Sequence, residues 1–293
     1  MKRVATLKGL FLMAALLIVA ACGGDGSSSS SKVLYFGGIP DQNATTLVRR
    51  YDSFAEYMSE QLGVEVKYIP SVDYAAVVTG FKGGDLQLAW FGGLTGVQAR
   101  LAVPDSEAIA QRPRDAEFHS KFIVQADLGV NSLEDLKGFT FTFGSESSTS
   151  GHLMPRHFLV QAGIDPDKDF KGGANYSGSH DKTWKLVESG AFQAGALNEA
   201  VWERAVQEGK VDLSKVRVFF TTPAYFDYNW TIRGDADETF GEGFTDRVRE
   251  ALLAIGPEQR EILGLFSTDG FIETSNDNYQ AIQEVAEQLG IVR

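Results

Sequence analysis

From Lys32 onward, short apolar runs alternate with longer stretches in which apolar residues recur every three or four positions. Val33-Leu34-Tyr35-Phe36 reads as a strand that stops at Pro40, and Leu47, Tyr51, Phe54 and Met58 follow at helical spacing up to Gly63. The pattern then predicts a strand over 64–69, a helix capped by Asp73 and closed by Gly83-Gly84, a strand over 86–91 and a helix over 94–101. Strands alternating with helices at this spacing imply a mostly parallel sheet covered on both faces, with ligands bound outside the carboxyl ends of its strands.

The second half repeats this β/α logic. Strands are predicted over 106–111, 119–125, 139–143, 173–177, 192–197 and 216–222. Between them lie a capped helical turn at 132–138 and helices over 151–162, from 180 and over 200–208. Extended structure resumes over 228–233, and three helices, near 242–255, 257–265 and 276–289, end the chain. No stretch reads as a long linker. The expected architecture is therefore α/β, with two lobes joined by crossing strands near 122–126 and 222–228 that act as hinges. On this reading 32–123 and 226–293 form one lobe and 124–225 the other.

The first residues follow different rules. Lys2, Arg3 and Lys8 precede an apolar stretch, Leu10 to Ala21, too short to span a bilayer as a stable helix, so 1–21 reads as an export signal. Val19-Ala20-Ala21-Cys22 resembles the lipobox of bacterial lipoproteins, which makes Cys22 the expected lipidation site. The Gly/Ser run that follows makes 22–31 a flexible tether. Cys22 is the chain's only cysteine, so no internal disulfide framework is possible. The formal charge of −12 argues against nucleic acid and against electrostatic adhesion to anionic lipid, leaving the lipid as the expected membrane anchor.

One stretch carries most of the candidate chemistry. Gly144-Ser145-Glu146-Ser147-Ser148-Thr149-Ser150-Gly151 leaves an apolar strand and runs into a helix whose start is limited by Pro155. Hydroxyls, free backbone N–H groups and a helix dipole can surround an oxyanion without a formal cation. Other predicted strand ends and helix starts carry Tyr74, Trp90, Phe91, His180 and Asn198, and Asp227 sits at the second crossing. Singly, each has a packing or capping explanation; together they supply the donors that a tetrahedral oxyanion needs.

The chain contains no G-x-S-x-G elbow, P-loop or dinucleotide fingerprint. His152 and His157 would diverge by about 140° on a helix and so form no metal pair. A hydrolytic triad of Ser150, His180 and Asp227 is the one enzymatic alternative. The expectation is a non-enzymatic monomer with no cofactor or metal.

With these residues placed, the chain resembles the solute-binding proteins of ABC importers of the phosphonate type, most closely the subgroup labelled selenate-binding. The resemblance rests on Ile39-Pro40-Asp41-Gln42, Asp73 to Val78, Leu88 to Gly93, Phe118-His119-Ser120, Gly144 to Pro155, His180-Asp181 and Ala224 to Trp230. It implies a two-lobed periplasmic-binding-protein-like (type II) fold, a permease partner, and a location in the periplasm or on the outer face of the cytoplasmic membrane, held by lipid. It also implies that Ser148, Thr149, Ser150, His180 and Tyr74 hold the oxygens of a small oxyanion such as selenate, phosphonate or phosphite. Phe91 stands where that family has a Tyr. The family's amine-binding acids match only loosely, with Asn198-Glu199 and Asp227 nearest. A sensory module for a small organic anion would have the same pocket.

Overall fold

The computed structural model describes residues 32–292. The expected export signal, the expected tether and Cys22 lie outside the described residues. In chain order the first elements are β1 (Val33–Gly38), α1 (Ala44–Leu62), β2 (Glu65–Tyr68), α2 (Tyr74–Gly83), β3 (Leu88–Phe91), α3 (Gly93–Ala102), β4 (Glu107–Gln111), β5 (Ser120–Gln125) and β6 (Phe141–Phe143). There follow α4 (Met154–Gln161), β7 (Asn175–Tyr176), α5 (His180–Glu188), β8 (Ala194–Asn198), α6 (Glu199–Gln207) and β9 (Val216–Thr221). The chain ends with β10 (Asn229–Ile232), α7 (Ala236–Phe240), α8 (Phe244–Leu253), α9 (Arg260–Phe266), β11 (Ile272–Glu273) and α10 (Gln280–Gln288).

These strands form two mixed sheets, the basis of a two-lobed periplasmic-binding-protein-like α/β fold. The first has the order β11-β4-β10-β3-β1-β2 and the second β7-β6-β8-β5-β9. β1 pairs in parallel with β2 and β3, and β6 with β7 and β8. The strands nearest the crossings pair antiparallel, β10 against β3 and β4 and β5 against β8 and β9, as does the short edge strand β11 against β4. A strand that enters from the other lobe needs no crossover helix, so it can run against its neighbours.

The chain passes between the sheets twice, over 112–119 and over 222–228, and an isolated antiparallel bridge joins the passages at Phe118 and Tyr225. The first passage thus precedes the expected position near 122–126. All of β5 pairs within the second sheet, so residues 120–123 go with the second lobe instead of the first. Periodicity identifies a strand but not which sheet it joins.

The first lobe's core is rich in aromatic contacts. Phe54 stacks on Trp230 at 4.5 Å and meets Phe36 edge-on at 5.1 Å. Burying such rings contributes on the order of 2–3 kcal/mol each. The second lobe is cored by Phe122, Phe141, Phe143, Leu159 and Phe170. Its hydroxyl stretch departs from a regular helix start: Thr149–Leu153 forms a π-helical turn, and α4 begins only after it. Pro155 at the start of α4 accounts for the delay, since its ring is tolerated only in a helix's first turn.

Candidate functional site

Five helices begin at residues that meet between the lobes. α2 and α3 come from the first lobe; the π-turn leading into α4, together with α5 and α6, comes from the second. Each helix start carries partial positive charge and unsatisfied N–H groups. Their convergence gathers groups that can hold an anion within an acidic protein.

The hydroxyl turn is closed by its own backbone: Gly144 N–H donates to Gly151 O at 2.8 Å and Leu153 N–H to Ser148 O at 2.9 Å. Ser148 Oγ accepts from Gly151 N–H at 2.9 Å, and its hydroxyl also interacts with the Tyr74 phenol. A Cβ at Gly151 would stand 3.0 Å from both His180 Cε1 and Ser148 Oγ, so only glycine lets the imidazole lie this close to the turn. Thr149 Oγ1 reaches the first lobe, accepting Leu94 N–H at 3.0 Å. Next to it, Asp227 Oδ1 accepts Gly93 N–H at 3.0 Å, and its carboxyl interacts with the hydroxyls of Thr149 and Ser150. Burial pushes the Asp227 carboxyl up to about 7. Its Oδ2 is buried without a hydrogen-bond partner.

His180 opens α5 and is completely buried. Its Nδ1 accepts Asn198 N–H at 3.3 Å, which leaves the proton on Nε2, 3.4 Å from the Tyr74 hydroxyl. Burial lowers this imidazole to about 4, so it is neutral at physiological pH. The Tyr74 phenol is held well above its ordinary value, first by burial and then by the charges of Asp41 and Asp227, so it remains a donor.

Tyr74, Ser148, Thr149, Ser150, His180 and Asp227 therefore come together, whereas the other sequence candidates lie beside or behind them. Asn198 caps α6 through Oδ1, accepting Val201 N–H at 2.9 Å, and donates from Nδ2 to the Tyr228 hydroxyl at 2.8 Å, so its amide is already engaged. Trp90 is a floor element, stacked on Tyr228 at 5.5 Å with the Arg112 guanidinium over its ring. Phe91 packs edge-on against Phe81 at 5.4 Å in the first lobe's core, which places its side chain in packing instead of the predicted ligand contact.

Three further groups lie near the site, of which only Tyr225, at the second crossing, drew notice in the sequence. Asp41 takes the Tyr228 hydroxyl on Oδ2 at 2.9 Å, and its carbonyl accepts His180 N–H at 3.2 Å across the lobes. Arg112 and Asp115 form a buried two-point ion pair at 2.7 Å. Tyr225 bonds Ser120 at 2.7 Å beside the bridge between the passages. Arg112 is thus spent on Asp115 and carries no free charge toward a ligand.

The hydrolytic triad that the sequence left open is not assembled here. The His180 ring nitrogens face Asn198 N–H at 3.3 Å and, more loosely, the Tyr74 hydroxyl at 3.4 Å, with Asp227 bonded elsewhere, so the Ser150-His180-Asp227 relay is not formed. Among the described residues no group of three or more His, Cys, Asp or Glu could hold a metal ion, and no helix is long and apolar enough to cross a membrane.

Comparison with known proteins gives a consistent result. The family model for the periplasmic substrate-binding protein of phosphonate ABC transporters matches residues 36–279. A Prochlorococcus marinus (strain MIT 9301) protein described as a probable ABC transporter phosphite binding protein, PhnD1, is 48% identical over 272 residues, 89% of this chain and 91% of the relative. The phosphonates-binding periplasmic protein of Escherichia coli (strain K12) is 24% identical, over 87% of this chain and 76% of its own length. The solved structure of the Prochlorococcus protein in complex with methylphosphonate superposes with a TM-score of 0.86 at 48% identity, over 89% of this chain and 99% of that one.

Proposed function

The chain belongs to the family of periplasmic substrate-binding proteins of phosphonate ABC transporters, and from that premise we propose that it captures small, singly protonated phosphorus oxyanions, phosphite and methylphosphonate foremost, and hands them to a permease. In this reading Ser148, Thr149, Ser150, Tyr74 and His180 donate to the ligand oxygens. Asp227 receives the ligand's one remaining P–OH proton. Cys22 carries the lipid that keeps the protein at the membrane.

The observation that carries the reading is Asp227, a buried carboxyl set among the hydroxyls and N–H groups of an anion seat. Two facing anions repel strongly when desolvated unless a proton lies between them. Phosphorus oxyanions lose their last proton near neutrality, as phosphate esters do at about 6, so ligand and carboxyl can share one. Sulfate and selenate carry no such proton at pH 7. Selection among these ions then depends on a required proton, where size and charge alone would not separate them. The relative that supports this choice is the Prochlorococcus protein, described by its binding of phosphite and solved with methylphosphonate. The acid nearest to an amine seat, Glu199, is held by His119 at 3.2 Å and Lys121 at 3.6 Å, which disfavours 2-aminoethylphosphonate.

Calorimetry at pH 7 with phosphite, methylphosphonate, phosphate, sulfate, selenate and 2-aminoethylphosphonate tests the reading. Phosphite and methylphosphonate should bind, and Thr149→Ala/Ser150→Ala should abolish binding in a folded protein. Equal binding of selenate, or full affinity in the double variant, would overturn it.

A further inference from the structure

We infer that the flank of the interlobe groove holds an outer anion-collecting site, which takes the same phosphorus oxyanions weakly and feeds the inner seat. The inference rests on the reading of that inner seat given above. A cavity of about 320 Å3 lies on this flank, with Arg49, Lys185, Arg204 and Lys210 set against only two acids, Asp181 and Glu208. The local excess of positive charge stands out on a chain of formal charge −12. Arg49 comes from α1 in the first lobe and the other three cations from the second, so the patch is assembled by both lobes.

The two acids neutralise only half of the four cations and leave a net excess of two positive charges in the lining. Glu208 is shared by Arg204 at 3.2 Å and Lys210 at 2.6 Å, while Asp181 pairs with Lys185 at 3.1 Å.

The patch also leads inward. Gln42, Val201 and Arg204 line both this cavity and a neck of about 10 Å3 whose far wall contains Asp41, Arg112 and Asn198. Asp41 and Asn198 are the residues bonded to His180 from either lobe. The neck has room for about one water, and because its walls belong to different lobes, a separation of the lobes would widen it. A charged funnel of this kind raises the arrival rate of a small anion by roughly tenfold or more without changing how long the ligand stays in the inner seat.

The test measures association and dissociation rates of phosphite by stopped-flow tryptophan fluorescence over a range of NaCl concentrations. Two charge-matched variants are compared with the natural chain: Arg49→Gln/Lys185→Gln/Lys210→Gln on the flank, and Lys67→Gln/Lys82→Gln/Lys171→Gln at exposed positions elsewhere. The flank variant should associate about tenfold more slowly at low salt with an unchanged dissociation rate, and the difference should vanish as salt screens the charges. The remote variant should change far less. Equal slowing in both variants would make the effect one of net charge and overturn the outer site. Faster dissociation in the flank variant would also overturn it, by making these residues part of the inner seat. If the natural chain binds neither phosphite nor methylphosphonate, the reading of the inner seat itself fails.

Discussion

Two buried histidines, one within the hydroxyl turn and one against it, differ in one respect that matters. His152 is part of the turn and His180 lies against it, and burial lowers both to about 4. Around His152 every ring atom that can bond is engaged. Nδ1 donates to Glu146 O at 2.7 Å, and Nε2 accepts from Arg156 at 3.0 Å and from Tyr176 at 3.2 Å. Around His180, Nδ1 is fixed by Asn198 but the Nε2 proton meets Tyr74 only at 3.4 Å, a long bond that a ligand oxygen could replace. A lowered imidazole is therefore no mark of function by itself. What marks the site is the donor left without a close partner.

The comparison is sharpest when each histidine is removed. His152→Ala should cost roughly 3 kcal/mol of stability, because it opens a cavity and strands several buried bonds, while phosphite affinity in the folded protein changes little. His180→Ala should do the reverse, weakening binding about 100-fold, equivalent to a charge-assisted hydrogen bond of up to about 3 kcal/mol, with a smaller loss of stability. Urea denaturation and calorimetry on both variants check this, and an exchange of the two outcomes would break it.

Acid titration probes both sides together. Each imidazole is harder to protonate folded than unfolded, so the stability it contributes is present above pH 6.5 and lost as pH falls toward 4. The loss is on the order of 3 kcal/mol per histidine. Melting temperatures from pH 7 to 4 should fall less steeply in His152→Ala than in the natural protein, and a parallel fall would show that this imidazole is already charged.

Asp227 titrates in the opposite sense. Its raised value, about 7, means that affinity for a phosphorus oxyanion should fall as pH rises above 7, where ligand and carboxyl both ionise. Asp227→Asn should remove that dependence and admit sulfate or selenate; an unchanged pH profile would remove the carboxyl from the ligand's shell. The smallest effect expected is that of Tyr74→Phe, about tenfold in affinity for one neutral donor, measured at constant pH.

Much of this was legible before any coordinates. The turn at 148–150, Tyr74 and His180 follow from where strands stop and helices start, because those ends must present free backbone groups on one edge of a sheet. Asp41 and Tyr228 were not legible as a pair, since the bond between them spans 187 residues and neither position breaks a local pattern. Phe91 was misplaced for a related reason. β3 is buried on both faces, so no alternation tells which of its side chains faces the site and which the core. The π-turn has no periodic signature short enough to show within five residues.

The position of β10 affects how the protein is made. It lies between β3 and β4, in the middle of the first sheet, yet its residues follow the entire second lobe in the chain. A nascent polypeptide therefore holds two halves of an unfinished sheet apart while β5 to β9, a continuous segment, can already assemble. Assembly of the first lobe waits for a distant segment and carries the larger loop-closure cost. Pulse-labelled hydrogen exchange during refolding should protect the amides of β6 and β8 before those of β3 and β4.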